Sequence, residues 1–149
     1  MSIVNELNLR KETTELHKAH LNILFTAGVV HNKVATILKP YGITVEQFNV
    51  LRILKGAVDE RLCIKDIASR MIDRNSNVSR IVDKLEIHKQ IVRSQSDKDK
   101  RASHILLTDL GLQLITEITN AVQADLNKVL NLTENEALLL NNLLDKSRH

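Results

Sequence analysis

The chain has 149 residues, 43% of them hydrophobic, with 21 Lys+Arg against 18 Asp+Glu for a formal charge of +3. That length suits one compact domain burying about two-thirds of its unfolded surface, while a lone cysteine, Cys63, excludes an internal disulfide and a cysteine-rich structural zinc site. With two Phe, one Tyr and no Trp there is no aromatic platform for stacking single-stranded bases.

A single domain, 1–149, is therefore expected. The first ten residues have no basic leader followed by an apolar core, and no stretch approaches the ~18 apolar residues of a membrane span, so the expectation is a soluble, cytoplasmic protein with no membrane partner.

Leu16, Ala19, Ile23, Ala27, Val30, Val34, Ile37 and Leu38 hold a 3.6-residue period for about six turns. They predict a long amphipathic helix, stopped by Lys39-Pro-Tyr-Gly42. Thr44-Val-Glu-Gln47 offers a capping box for a second helix, whose buried face is Phe48, Leu51 and Leu54. Leu62-Cys-Ile64 is a brief apolar run, and Lys65–Met71 reads as a helix of about two turns closed by Asp73-Arg-Asn75. Asn75 or Ser76 can cap the next helix. Its Val78, Ile81, Val82 and Leu85 form one stripe at i, i+3, i+4 and i+7, with Ser76, Arg80 and Asp83 opposite and Asn77 and Lys84 at the flanks. Ile91–Ser96 and Ala102–Leu107 read as two strands around a charged tip, Asp97-Lys-Asp-Lys-Arg101. A last pair of helices follows, one opened by Thr108-Asp-Leu-Gly111 with Leu114, Ile115, Ile118, Val122, Leu126, Val129 and Leu130. The other is capped by Thr133-Glu-Asn-Glu136 and carries Leu139, Leu140, Leu143 and Leu144.

Charge is unevenly spread along this order. Residues 61–101 hold 11 basic and 6 acidic side chains, against 10 and 12 elsewhere. Such a block is either a solvated face or an electrostatic footprint for phosphates. The order of helix, short strand, short helix, tight turn, polar-faced helix and basic-tipped hairpin is that of a winged helix-turn-helix, in which the second helix enters the major groove. Ser76, Asn77, Ser79 and Arg80 occupy its reading end. Arg80 can donate two parallel hydrogen bonds to guanine, Asn77 can bridge adenine, and the serines can bind bases or phosphates. Lys65, Arg74 and Lys84 are suited to phosphates, positioning rather than specifying.

Ile67-Ala-Ser-Arg-Met71, Ser76-Asn-Val-Ser-Arg-Ile-Val-Asp-Lys-Leu-Glu86, Asp99-Lys-Arg101 and Leu107-Thr-Asp-Leu-Gly111, in this order and spacing, resemble the MarR family of bacterial regulators. The resemblance rests on motifs from about residue 44 to 111 and on pattern alone in the flanking helices. It implies a mainly α fold of about six helices with a two- to three-stranded wing. Residues 43–108 would form the DNA-binding lobe, and 1–40 with 109–149 a helical lobe that intertwines two copies into a homodimer. It further implies a wing in the minor groove, with Asp99 orienting Arg101 and with Lys98 and Lys100 on phosphates, and a palindromic double-stranded DNA operator with half-sites ~10 bp or a multiple apart. Small aromatic or anionic effectors would occupy a cleft lined by His17, His20, Tyr41 and Phe48.

Two residues depart from that pattern. Cys63 stands where relatives often cap the helix with Ser or Thr, and is read either as a small buried side chain or as an oxidisable thiol near Arg61 and Lys65. The usual glycine between recognition helix and wing is replaced around His88-Lys-Gln90. The resulting expectation is a ligand-responsive, sequence-specific DNA-binding repressor, with a winged-helix protein-interaction module as the alternative. With no nucleophile–base pair, glycine-rich phosphate loop or metal cluster, neither an enzyme nor a cofactor is expected; two histidines at i, i+3 do not make a metal site.

Overall fold

A computed structural model of the chain describes residues 2–10, 12–57, 60–95 and 103–148. Seven α-helices and a two-stranded antiparallel sheet are found among them, one helix more than the periodicity predicts: α1 (Ile3–Glu6) is a single short turn before the main pattern starts. α2 spans Glu15–Leu38, and Thr14 Oγ1 accepts the His17 N–H to cap it. Pro40 converts its end into a single 3-10 turn, and Gly42, at φ +65°, supplies the left-handed residue that redirects the chain. α3 (Val45–Gly56) begins with the predicted capping box, Thr44 N–H donating to Gln47 Oε1 at 2.9 Å and Gln47 N–H to Thr44 Oγ1 at 3.2 Å.

α4 (Ile64–Arg70) and α5 (Val78–Ile87) follow as the short and the polar-faced helix. β1 (Ile91–Gln95) and β2 (Ser103–Leu107) pair in the register Ile91↔Leu107 to Gln95↔Ser103. The Leu62 run adds no third strand. It is reduced to one bridge, in which the Ile105 N–H donates to the Leu62 carbonyl at 2.8 Å. α6 (Asp109–Leu130) and α7 (Glu134–Lys146) complete the chain, each with its predicted threonine cap.

A single apolar core draws on both ends of the sequence. Leu38 from α2, Leu51 from α3, Ile67 from α4, Leu85 from α5, Ile91 and Ile105 from the hairpin, and Ile115 and Ile118 from α6 are all fully buried. The hairpin is locked to α6 at Gly111, where an added Cβ would sit 2.0 Å from the Gln90 carbonyl oxygen. Thr108 ties the same corner by donating its hydroxyl to the Lys89 carbonyl at 2.7 Å and its N–H to the Gln90 carbonyl at 3.2 Å. These contacts set the angle between the wing and α6.

Much of the predicted apolar pattern has no cover within the chain. Leu16, Ile23, Leu24 and Val29 of α2 are exposed, as are Leu138, Leu139, Leu140 and Leu143 of α7, a helix with no buried residue. Phe25, nine residues after Leu16, lies on the opposite side of α2 and is also exposed. The expectation that no stretch could span a membrane is corrected here. By length and mean hydropathy the segment Glu15–Tyr41 is long and apolar enough to do so. Lys18, Asn22, Asn32 and Lys33 break any uninterrupted apolar run, but apolar side chains on more than one side keep the average high.

Candidate nucleic-acid interface

α5 is positioned by its stripe. Val78, Val82 and Leu85 are buried and Ile81 half-buried, which forces Ser79, Arg80, Asp83 and Lys84 outward. α4 packs against α5 through the buried Ile67, and the turn between them is held by the Ile72 N–H donating to buried Asn49 Oδ1 at 2.9 Å. A helix with four polar residues projecting from an anchored apolar base has the shape the major groove admits.

The N-terminal end of α5 differs from the sequence reading in two ways. Neither Asn75 nor Ser76 caps the helix; Asn77 does, its Oδ1 accepting the Arg80 N–H at 3.2 Å. That bond commits one end of the amide expected to bridge adenine. The hydroxyl of Ser76 is buried and has no hydrogen-bond partner among the described residues, although the residue lines the same cleft as Arg80 and Lys84. Ser79, Arg80 and Lys84 are exposed, and Arg80 and Lys84 line an open cleft of about 380 Å³ with Ser76 and Asn77, the α3 cap Thr44 and Glu46 of α3.

Of the expected phosphate contacts, Lys65 is exposed in the first turn of α4. Arg74 is exposed but folds back to donate to the Ser69 carbonyl at the C-terminal end of α4, which satisfies an unpaired helix carbonyl. Lys98, Asp99, Lys100 and Arg101 lie outside the described residues. Cys63 is half-buried at the N-cap of α4, where its N–H donates to Asp66 Oδ2 at 2.9 Å. Hydrogen bonds from the Cys63 side chain and backbone hold the Asp66 carboxyl below its ordinary range, with Arg70 and Lys65 adding to the effect.

One contact at this face escaped the sequence. Arg93 of β1 reaches across to α5, one guanidinium nitrogen donating to Asp83 and the other to Glu86 at 2.5 Å. The Asp83 bond, then both carboxylate charges, hold its pKa above the ordinary arginine value. The pairing depends on how the hairpin docks, and spacing in the chain carries no trace of it.

The four residues predicted to line one effector cleft are not brought together within the chain. His17 and His20 are exposed near the start of α2, their rings stacked at 6.3 Å between centroids. Tyr41 lies beyond the other end of that helix, about 30 Å away at 1.5 Å per residue. It is half-buried beside Glu117 of α6, and burial, the Glu117 charge and a hydrogen bond to it raise the phenol pKa. Phe48 is a core residue at 9% exposure and not a cleft wall.

Comparison with known proteins agrees with this geometry. The MarR family model matches residues 43–103, from the turn before α3 to the start of β2. The chain is 30% identical over 112 residues to the HTH-type transcriptional regulator SarZ of Staphylococcus aureus, covering 74% of each. It is 35% identical over 80 residues to the HTH-type transcriptional regulator YkoM of Bacillus subtilis, covering 54% of this chain and 51% of YkoM, about half that relative's length. The fold superposes on that of MepR in the S. aureus MepR–DNA complex with a TM-score of 0.76 at 24% identity, over 93% of this chain and 96% of MepR. With the helix-turn-helix and hairpin in place and these matches spanning them, the chain belongs to the MarR family of winged helix-turn-helix, DNA-binding transcriptional regulators.

Proposed function

We propose that this protein is a sequence-specific repressor that binds a palindromic duplex as a homodimer and is released by a small aromatic or anionic ligand. One observation carries the reading: α5 turns a polar, cation-bearing face to solvent while its apolar stripe anchors it in the core. Arg80 reads bases, Lys65, Arg74, Lys84, Lys98 and Lys100 hold phosphates, and Asp99 orients Arg101 for the minor groove. MepR, which shares the fold, is bound to DNA in its complex. The uncovered apolar surfaces of α2 and α7 support a helical dimerisation lobe of residues 1–40 and 109–149 beside a DNA-binding lobe of 43–108. A chromosomal partner places the protein in the cytoplasm.

Fluorescence anisotropy on duplexes selected from a random pool tests the reading. Five phosphate contacts per protomer, ten per dimer, predict a loss of about 10⁵-fold in affinity between 50 and 200 mM salt. Binding that ignores salt would favour a protein-interaction module. Release by a small aromatic carboxylate such as benzoate, titrated into the preformed complex, tests the effector.

A further inference from the structure

The recognition helix carries its own neutralising acids. α5 bears Arg80 and Lys84 but also Asp83 and Glu86, so alone it brings no net charge to a groove lined with phosphates. Asp83 follows Arg80 by three residues and Ser79 by four, which makes it a neighbour of both on the exposed face, and its side chain is 56% exposed. An unpaired carboxylate there repels phosphates and, as a pure acceptor, pairs among base edges with the amine of cytosine.

Arg93 meets both acids at once from the neighbouring strand. Its planar fork serves two carboxylates with two separate nitrogens, a geometry that a single ammonium does not reproduce. The ion pairs are partly exposed, with Arg93 at 31% and Glu86 at 37% side-chain exposure, so their contribution to folding is small and another use for the arrangement is open.

We propose that Arg93 is a positioning residue for DNA binding: it turns Asp83 and Glu86 toward the wing and neutralises them, leaving Arg80 and Lys84 as the acting charges of the recognition helix. The inference rests on α5 being the DNA-contacting element.

The test compares wild type, Arg93→Met, Arg93→Lys and the triple variant Arg93→Met/Asp83→Asn/Glu86→Gln on one selected duplex at low and high salt, with a thermal melt of each. Arg93→Met is expected to weaken binding about tenfold at low salt, a loss that shrinks as salt screens the freed carboxylates. Arg93→Lys falls between, and the triple variant recovers wild-type affinity or better. Wild-type affinity in Arg93→Met, or a triple variant as weak as Arg93→Met, overturns the proposal, the second because Arg93 would then act on DNA directly. If Arg93→Met melts early, Arg93→Lys with and without Asp83→Asn carries the same comparison: a loss that Asp83→Asn removes supports the proposal, and one that it leaves overturns it. Failure of the wild type itself to bind any duplex would instead overturn the reading of α5.

Discussion

Lys89 sits in the left-handed region at φ +57°, immediately after the C-cap of α5. Its N–H donates to the Glu86 carbonyl at 2.8 Å and that of Gln90 to the Leu85 carbonyl at 3.0 Å, the paired bonds of a Schellman ending that favours glycine. The sequence shows that a familiar glycine is missing around His88-Lys-Gln90; the backbone shows which residue bears the strain. Lys89→Gly is expected to stabilise the fold by about 0.5–1 kcal/mol, read as a raised midpoint in chemical denaturation. Gly111 is the opposite case. Any side chain there meets the Gln90 carbonyl, so Gly111→Ala should cost about 2 kcal/mol or more and lower the same midpoint. Ser76 and Asn77 illustrate why the reading end of α5 was mis-drawn: Asn75, Ser76 and Asn77 are all competent caps, and only the packing of Val78 decides which one starts the helix.

At the scale of elements, the division of labour along α5 is testable. Arg80→Ala is expected to cost about 1–3 kcal/mol per half-site on the selected duplex and relax preference at one base step in each, whereas Lys84→Ala should weaken selected and random duplexes alike and, lost from both protomers, flatten the salt slope by about two. Equal losses on both duplexes for both variants would contradict it. Two helix starts also titrate. The Asp66 carboxyl at α4 and the Glu136 carboxyl at α7 are held below their ordinary values of 3.8 and 4.5 by hydrogen bonds from Cys63 and Thr133. A carboxyl depressed in the folded state stabilises it above the unfolded pKa, and that stability is lost as pH falls through the folded one. Thermal melts should therefore drop below about pH 4, and Asp66→Asn/Glu136→Gln, which keeps an acceptor at each cap, should show a shallower drop. The Thr133–Glu136 cap is readable because a capping box is a local motif; the Arg93 pairing is not, because its partners lie seven and ten residues away across a docked hairpin.

For the whole molecule, the decisive feature is apolar surface without cover. Leu138, Leu139, Leu140 and Leu143 on α7, with Leu16, Ile23, Leu24 and Val29 on α2, exceed what scattered surface leucines require and support the proposed homodimer contact. Leu139→Glu/Leu143→Glu is expected to shift sedimentation from dimer to monomer and to weaken operator binding by more than tenfold, because two half-sites would no longer be engaged together. Unchanged sedimentation would mean that α7 lies outside the dimer contact.

Sequence alone determined the six main helices, the threonine caps of α3 and α7 and the winged order, because period, capping boxes and turn residues are local and each agrees with the fold. It also marked Arg80 and Lys84, since an amphipathic stripe dictates what must face away from it. Tertiary structure decided the rest: the left-handed strain at Lys89, the close approach at Gly111, the inward turn of the Ser76 hydroxyl and the grip of Arg93 on two acids. Apart from Lys89, whose ending is set by bonds within residues 85–90, each depends on elements distant in the chain meeting at a fixed distance and angle, and the identity of neighbouring residues does not encode that.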